Sequence, residues 1–243
     1  MKYLSFLFCI AFCVKGLSSP PHRFLMPIDT PLVVPRCNDF TISGKGDNPE
    51  WYKAQWIPIK KIDEGGKEDK TRFKILYSGT GLYVFFSGDD EKITSSFRND
   101  FENLFKADVF EVFFHPDPAE GIYFEYEVSP LDKELVLLIL NMNGKFGSWM
   151  PWHYEDKNRV IKKVNITGGK MEPDAIIQSW TAELFFPYQL LTPLKNVPPL
   201  PGDRWNANFC RLDYDSGKMI KWSWSPISVS FHEFKKYFSI RFE

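Results

Sequence analysis

The sequence predicts an all-β fold, a β-sandwich of about ten strands with a few short helical turns. Three observations carry this. Runs rich in aromatic and β-branched residues alternate with Gly, Pro and Asn clusters at spacings that sandwiches use. No run shows the 3.6-residue apolar period of a long amphipathic helix. Aromatic residues make up 17% of the chain, a bias that suits sheet interiors. At 243 residues an all-β chain of this kind is commonly one domain, with enough apolar content for a sizeable core.

The most informative stretch is residues 108–130, DVFEVFFHPDPAEGIYFEYEVSP, which reads as a β-hairpin turning over Pro116, Pro118 and Gly121. Phe110, Val112 and Phe114 share one strand face, and Phe124, Tyr126 and Val128 share one face of the next. Pairing these faces fixes the parity, since a one-residue slip would oppose apolar to polar throughout. The other face then holds Val109, Glu111 and Phe113 beside Tyr123, Glu125 and Glu127. Three carboxylates among aromatic rings suit either a sugar-binding face or an ion-pair lattice with Arg98, Arg211 or a lysine.

The other elements follow in order. Residues 32–36 form a short strand, and Asn48-Pro49 opens a helical turn over 50–54. Residues 71–78 and 82–87 make a hairpin turning at 79–81. Residues 135–142 are nearly continuously apolar, as in a strand buried on both faces. Residues 143–156 read as a loop carrying Trp149, Trp152 and His153. Strands are expected at 160–166, 176–186, 204–213, 219–224 and 237–242, with a short helix over 187–191 before a Pro-rich link. Trp51, Trp180 and Trp205 lie within apolar patterns and are expected in the core; Trp149 and Trp152, in a loop, are expected to serve recognition.

Residues 1–19 show a basic Lys2, an apolar run over 4–14 and small residues over 16–19, the pattern of a signal peptide. A secreted or periplasmic protein follows, with residues 20–34 as an extended leader and 35–243 as a single domain. Phe12 before Cys13 argues against a lipoprotein. Without the first segment, Cys37 and Cys210 remain, forming either one disulfide or two separately buried thiols. The net charge of −1 with no basic stripe argues against nucleic acid as partner. Asp89, Asp90 and Asp100 are weak calcium candidates, oxygen donors in one polar loop without EF-hand spacing. Asn165-Ile166-Thr167 is a glycosylation sequon.

A series of short motifs, taken in order, resembles one family. They are Ile42-x-Gly44 with Trp51; the strand from Gly81 to Val84; Asp108-x-x-Glu111; Tyr123-x-Glu125-x-Glu127; and Trp180-x-Ala182-Glu183. Gly202-x-x-Trp205-x-Ala207-Asn208 with Arg211, then Trp224-Ser225-Pro226 and Phe231-His232, complete the series. This order is similar to the family 9 carbohydrate-binding modules, in the family-9-like branch of the DOMON-like superfamily. The resemblance covers about residues 35–242 and implies an immunoglobulin-like or jelly-roll sandwich.

It also implies a site. Founding members of the family hold a sugar between two Trp rings while polar side chains fix its hydroxyls. The Asp-x-x-Glu glutamate falls on Glu111, the two ring positions near Phe105 and Phe231, and a sugar-contacting Arg on Glu127. The ligand-binding candidates are therefore Phe105, Glu111, Glu127 and Phe231, with Trp149 and Trp152 as loop contributors. The expected function is non-catalytic recognition of a carbohydrate or polysaccharide, without a redox cofactor. The alternatives are a structural or protein-interaction sandwich that has lost sugar binding, a glycoside hydrolase using paired carboxylates, and a haem-binding domain. For haem, His22, His115, His153 and His232 are scattered, and Met150 is too close to His153 to ligate the opposite haem face.

Overall fold

The aromatic alternation in residues 108–130 decides the architecture. The computed structural model describes residues 30–64, 69–142, 145–152 and 158–243; the expected signal peptide, residues 20–29 of the leader, His22 and His153 lie outside them. Residues Pro31–Glu243 form one compact unit. Its strands are β1 (Leu32–Val34), β2 (Ile57–Lys61), β3 (Thr71–Tyr77), β4 (Gly81–Asp89), β5 (Val109–His115), β6 (Ile122–Val128) and β7 (Glu134–Met142). They continue with β8 (Lys145–Pro151), β9 (Ile161–Thr167), β10 (Ser179–Pro187), β11 (Arg204–Asp213), β12 (Ile220–Ser223) and β13 (Phe238–Phe242). Short 3-10 turns at Pro49–Lys53, Leu104–Lys106, Tyr188–Leu191 and Phe234–Lys236 are the helical segments.

One layer runs β8-β7-β6-β5-β11, with β12 and β13 sharing the far edge of β11. The second runs β2-β3-β4-β10-β9, and β2 also pairs with β12, so the layers join through one corner. All pairings are antiparallel except β1 on β13. In the hairpin, Phe110 lies opposite Val128, Val112 opposite Tyr126 and Phe114 opposite Phe124. Those six side chains all enter the core between the layers. There they meet the inward residues of β3, β4 and β10: Phe110 stacks on Phe86 at 4.8 Å and on Trp180 at 3.8 Å, and Phe73 on Phe209 at 3.8 Å. Each ring contributes roughly 1.5–3 kcal/mol by burial, and each such pair adds about 0.5–1.5. Trp180 and Trp205 are core residues, as their patterns imply.

Trp51 is buried in a smaller cluster outside the second layer, with Leu76, Tyr83 and Phe85. Its indole Nε1 donates to Glu183 Oε1 at 2.5 Å, while the Ser43, Gly44 and Gly46 amides donate to Oε2 at 2.9, 2.5 and 3.1 Å. Gly44 and Gly46 have φ of +87° and +68°, so the loop can curl its N–H groups around one carboxylate. A Cβ on Gly46 would lie 2.0 Å from the Phe85 ring. The run from Ile42 to Trp51 and the Glu183 position are thus two halves of one structural clasp.

The alternatives for the cysteines resolve, and one expected loop is corrected. Cys37 and Cys210 are unpaired and buried in different clusters. Cys37 Sγ donates to Tyr77 O at 3.3 Å, and burial pushes its thiol up to about 12. Residues 145–151 form strand β8 rather than a loop. His115 ends β5 and is buried, its Nε2 2.9 Å from Glu120 O. The short strand expected over 32–36 is β1, which pairs with β13. Strand β2, IPIKK, has too little alternation to be expected from sequence.

Candidate ligand-binding cleft

The outward face of the β5–β6 hairpin is not solvated. Val109, Phe113, Tyr123, Leu135, Leu137, Ile139, Cys210 and Leu212 form a second hydrophobic cluster there, covered by Leu104, Ile227, Phe231, Phe234 and Tyr237 from two loop segments. Between those segments a cleft of about 330 Å³ opens onto the sheet, within the size range of small-ligand sites. Its floor carries Glu111, Glu125, Glu127, Leu137 and Leu212, and its walls carry Phe105, Phe146, Trp149, Met219, Lys221 and Val229–His232.

Each wall is fixed from below. Leu104, fully buried, anchors the 3-10 turn that presents Phe105, and Tyr214 Oη donates to Phe105 O at 2.7 Å. On the other side, the Asn208 side chain accepts from the Ser225 amide at 2.9 Å, which sets the path of the chain out of β12. Farther along, Glu233 accepts from the amides of Ser228 and Val229 at 2.6 and 2.8 Å. Hydrogen bonding from Lys236, then from these amides, holds the Glu233 carboxyl down at about 2. Tyr237 Oη donates to Phe231 O at 2.6 Å. The loop bearing Phe231 is thereby clamped from both sides.

The third wall comes from β8, through a bulge. Trp149 pairs with Ile139 and Ser148 with Leu140, but Asn141 pairs with Phe146, leaving Gly147 as the extra residue. Phe146 and Trp149 are three apart, so a regular strand would send them to opposite faces. The bulge restores both to the face of Ile139 and Asn141, where both line the cleft while remaining partly exposed. Sequence reasoning misses Phe146 because the signal would require knowing where the extra residue sits.

The floor is electrostatically unusual. Glu111 lies directly opposite Glu127, and Glu125 follows on the same face; all three are buried to within a few per cent. Among the described residues, none donates to Glu125 Oε2, Glu127 Oε1 or Glu127 Oε2 at full hydrogen-bonding geometry. Burial first, and mutual repulsion second, raise the Glu111 and Glu127 carboxyls well above the usual range, the Phe105 backbone N–H being a minor counterweight at Glu127. Burial likewise raises Glu125 to about 8. Among the described residues, no lysine or arginine pairs with these three carboxyls. Arg211 lies on the opposite strand face, buried against Asp90 at 3.1 Å and Asp213 at 2.6 Å. Lys221 on the wall is 3.4 Å from Asp63. His232 Nδ1, 3.0 Å from Tyr123 Oη and 3.9 Å from Glu125, is driven by burial down to about 4 and is neutral at pH 7.

Five of the six expected ligand-binding residues therefore converge: Phe105, Glu111, Glu127, Phe231 and Trp149. Trp152 does not; it packs on the main core, its Nε1 donating to Leu190 O at 3.0 Å. The expected calcium donors do not converge either. Asp100 accepts from the Glu134 amide and lies near Lys162, whereas Asp90 gathers with Asp213 and Asp215. There the Arg211 guanidinium supplies the positive charge, and burial raises the Asp90 carboxyl to about 7.

Residues 42–134 match the carbohydrate family 9 binding domain-like family. The resemblance read from the motifs is to that family. The span includes β2 to β6, with Phe105 and all three floor glutamates. No curated protein matches the sequence significantly. Among solved structures, a candidate carbohydrate-binding protein from Bacteroides uniformis superposes with a TM-score of 0.72 at 16% identity, over 87% of this chain and 98% of its own. A carbohydrate-binding module family 9 domain from Caldicellulosiruptor kristjanssonii, in complex with cellotriose, gives 0.62 at 14% identity over 88% and 94%. In complex with glucose, that domain gives 0.62 at 15% identity over 88% and 96%. At these identities the likeness establishes the fold, and that shared fold extends over most of the chain.

Proposed function

We propose that the protein is an exported, non-catalytic carbohydrate-binding domain whose ligand lies in the cleft above β5 and β6. One observation carries this reading. Residues from four separate places in the chain, Phe105, Glu111 with Glu127, Trp149 and Phe231, meet in one cleft. Aromatic walls suit the C–H faces of a pyranose ring, and carboxyl groups on the floor suit its hydroxyls. The family 9 match and the sugar complexes of the C. kristjanssonii domain support the same ligand class. Export rests on the signal-peptide pattern of residues 1–19 and fits a polysaccharide ligand; among the described residues, no helix is long and apolar enough to cross a membrane.

The test is calorimetry and affinity electrophoresis against soluble polysaccharides, with pull-down on insoluble ones. Removing both Phe105 and Phe231 deletes two ring contacts of about 0.5–1.5 kcal/mol each, so Phe105→Ala with Phe231→Ala should weaken binding roughly ten-fold or more. Wild-type affinity in that variant would remove the cleft from the reading. Absence of binding to every glycan would favour a sandwich that kept the fold and serves a protein partner.

A further inference from the structure

The floor of the cleft is richer in carboxyl groups than a neutral sugar requires. Glu125 and Glu127 are buried and line the cleft, and among the described residues Glu125 Oε2 and both Glu127 oxygens have no partner at full hydrogen-bonding geometry, only each other and the Phe105 backbone N–H as weak neighbours. The basic residues on the walls are Lys221, 3.4 Å from Asp63, and the neutral His232; Lys106 stands 5.9 Å from the Phe105 ring centroid, outside the lining. A buried carboxyl group either keeps its proton or meets a cation. Unliganded, these three keep protons, as their raised affinities for them require.

Resting on the carbohydrate reading, we propose that the cleft selects a pyranose bearing a free primary amine. A protonated amine brings one positive charge and three N–H donors to oxygens that lack a well-formed partner. The same group sits favourably near the faces of Phe105, Phe146, Trp149 and Phe231, whose rings attract cations. A neutral hydroxyl supplies one donor and no charge, so it compensates less of the floor. An N-acetylated sugar has lost the charge and carries added bulk.

Glucosamine, N-acetylglucosamine, glucose and ethanolamine, titrated into the full chain by calorimetry at neutral pH, where the floor releases a proton to an incoming cation more readily than in acid, test this. Glucosamine should bind roughly ten-fold tighter than glucose or N-acetylglucosamine, the scale of one charge-assisted contact. That preference should weaken with added NaCl and shrink in Glu127→Gln. Glu125→Gln is a second variant, and a far-UV CD melt shows that each is folded. Glucose or N-acetylglucosamine binding as tightly as glucosamine would overturn the charge preference and leave the carbohydrate reading standing. Ethanolamine binding as tightly as glucosamine would overturn the requirement for a sugar. No binding of any sugar would overturn both.

Discussion

Replacing Glu125 by glutamine should stabilise the protein, and increasingly so as pH rises. In the unfolded chain this carboxyl releases its proton near 4.5, and in the folded protein near 8, because burial removes it from water, with a hydrogen bond to Glu127 as a partial counterweight. Below about pH 4.5 it is protonated in both states and costs nothing. Above that, the unfolded chain gains an ionised carboxylate that the fold refuses, so stability falls by about 1.36 kcal/mol per pH unit until the folded group also ionises. Over a window of about 3.5 pH units the loss is on the order of 5 kcal/mol, a large fraction of an ordinary domain's stability. Glutamine has similar volume and no such titration. His232, held near 4 by burial, acts with the opposite sign between about pH 4 and 6.5 in both proteins, so the difference between them is the clean quantity. Urea denaturation of wild type and Glu125→Gln at pH 5, 6.5 and 8 should show the variant's advantage growing by several kcal/mol. Parallel curves would show that Glu125 is hydrated in solution, and the dry-floor account of the cleft would fail.

Three further outcomes follow from other parts of the molecule. Glu183→Ala strands the Trp51 indole and three backbone amides, so it should lower stability by about 3–5 kcal/mol in denaturant titration, with Glu183→Gln milder. Deleting Gly147 should straighten β8 and turn Phe146 away from the cleft; ligand affinity should fall several-fold while the far-UV CD spectrum and melting point barely change, because β8 buries little. Alkylation in denaturant without reductant, read by mass spectrometry, should label both Cys37 and Cys210; protection of the pair would indicate the disulfide that their burial in separate clusters excludes.

How much was legible in the sequence depended on how local the determining physics was. The parity of β5 and β6 could be read because Phe110, Val112 and Phe114 alternate strictly, and a strand has only two faces. Trp180 and Trp205 read as core for the same reason, whereas Trp51 lies on a 3-10 turn and is buried in the smaller cluster. The gathering of Glu111, Glu125 and Glu127 was equally visible, but their burial was not: it depends on the segments around Leu104 and Phe231, which reach the hairpin through tertiary contacts alone. Strand β8 was missed because every residue in it is exposed and its bulge breaks the alternation. Trp152 was read as a recognition residue because it belonged to that same presumed loop. The fate of Cys37 and Cys210 could not follow from spacing, which says nothing about distance in a sandwich whose layers separate them.

Strand β8 also divides the labour of the molecule. It hydrogen-bonds to β7 alone and is exposed along its whole length, yet it supplies two of the four aromatic side chains around the cleft. Changes there alter what the protein grips without disturbing what keeps it folded. Seven residues at the margin of the sheet thus form an interchangeable lip, and new preferences can be selected by randomising Lys145–Pro151 while the scaffold beneath stays as it is.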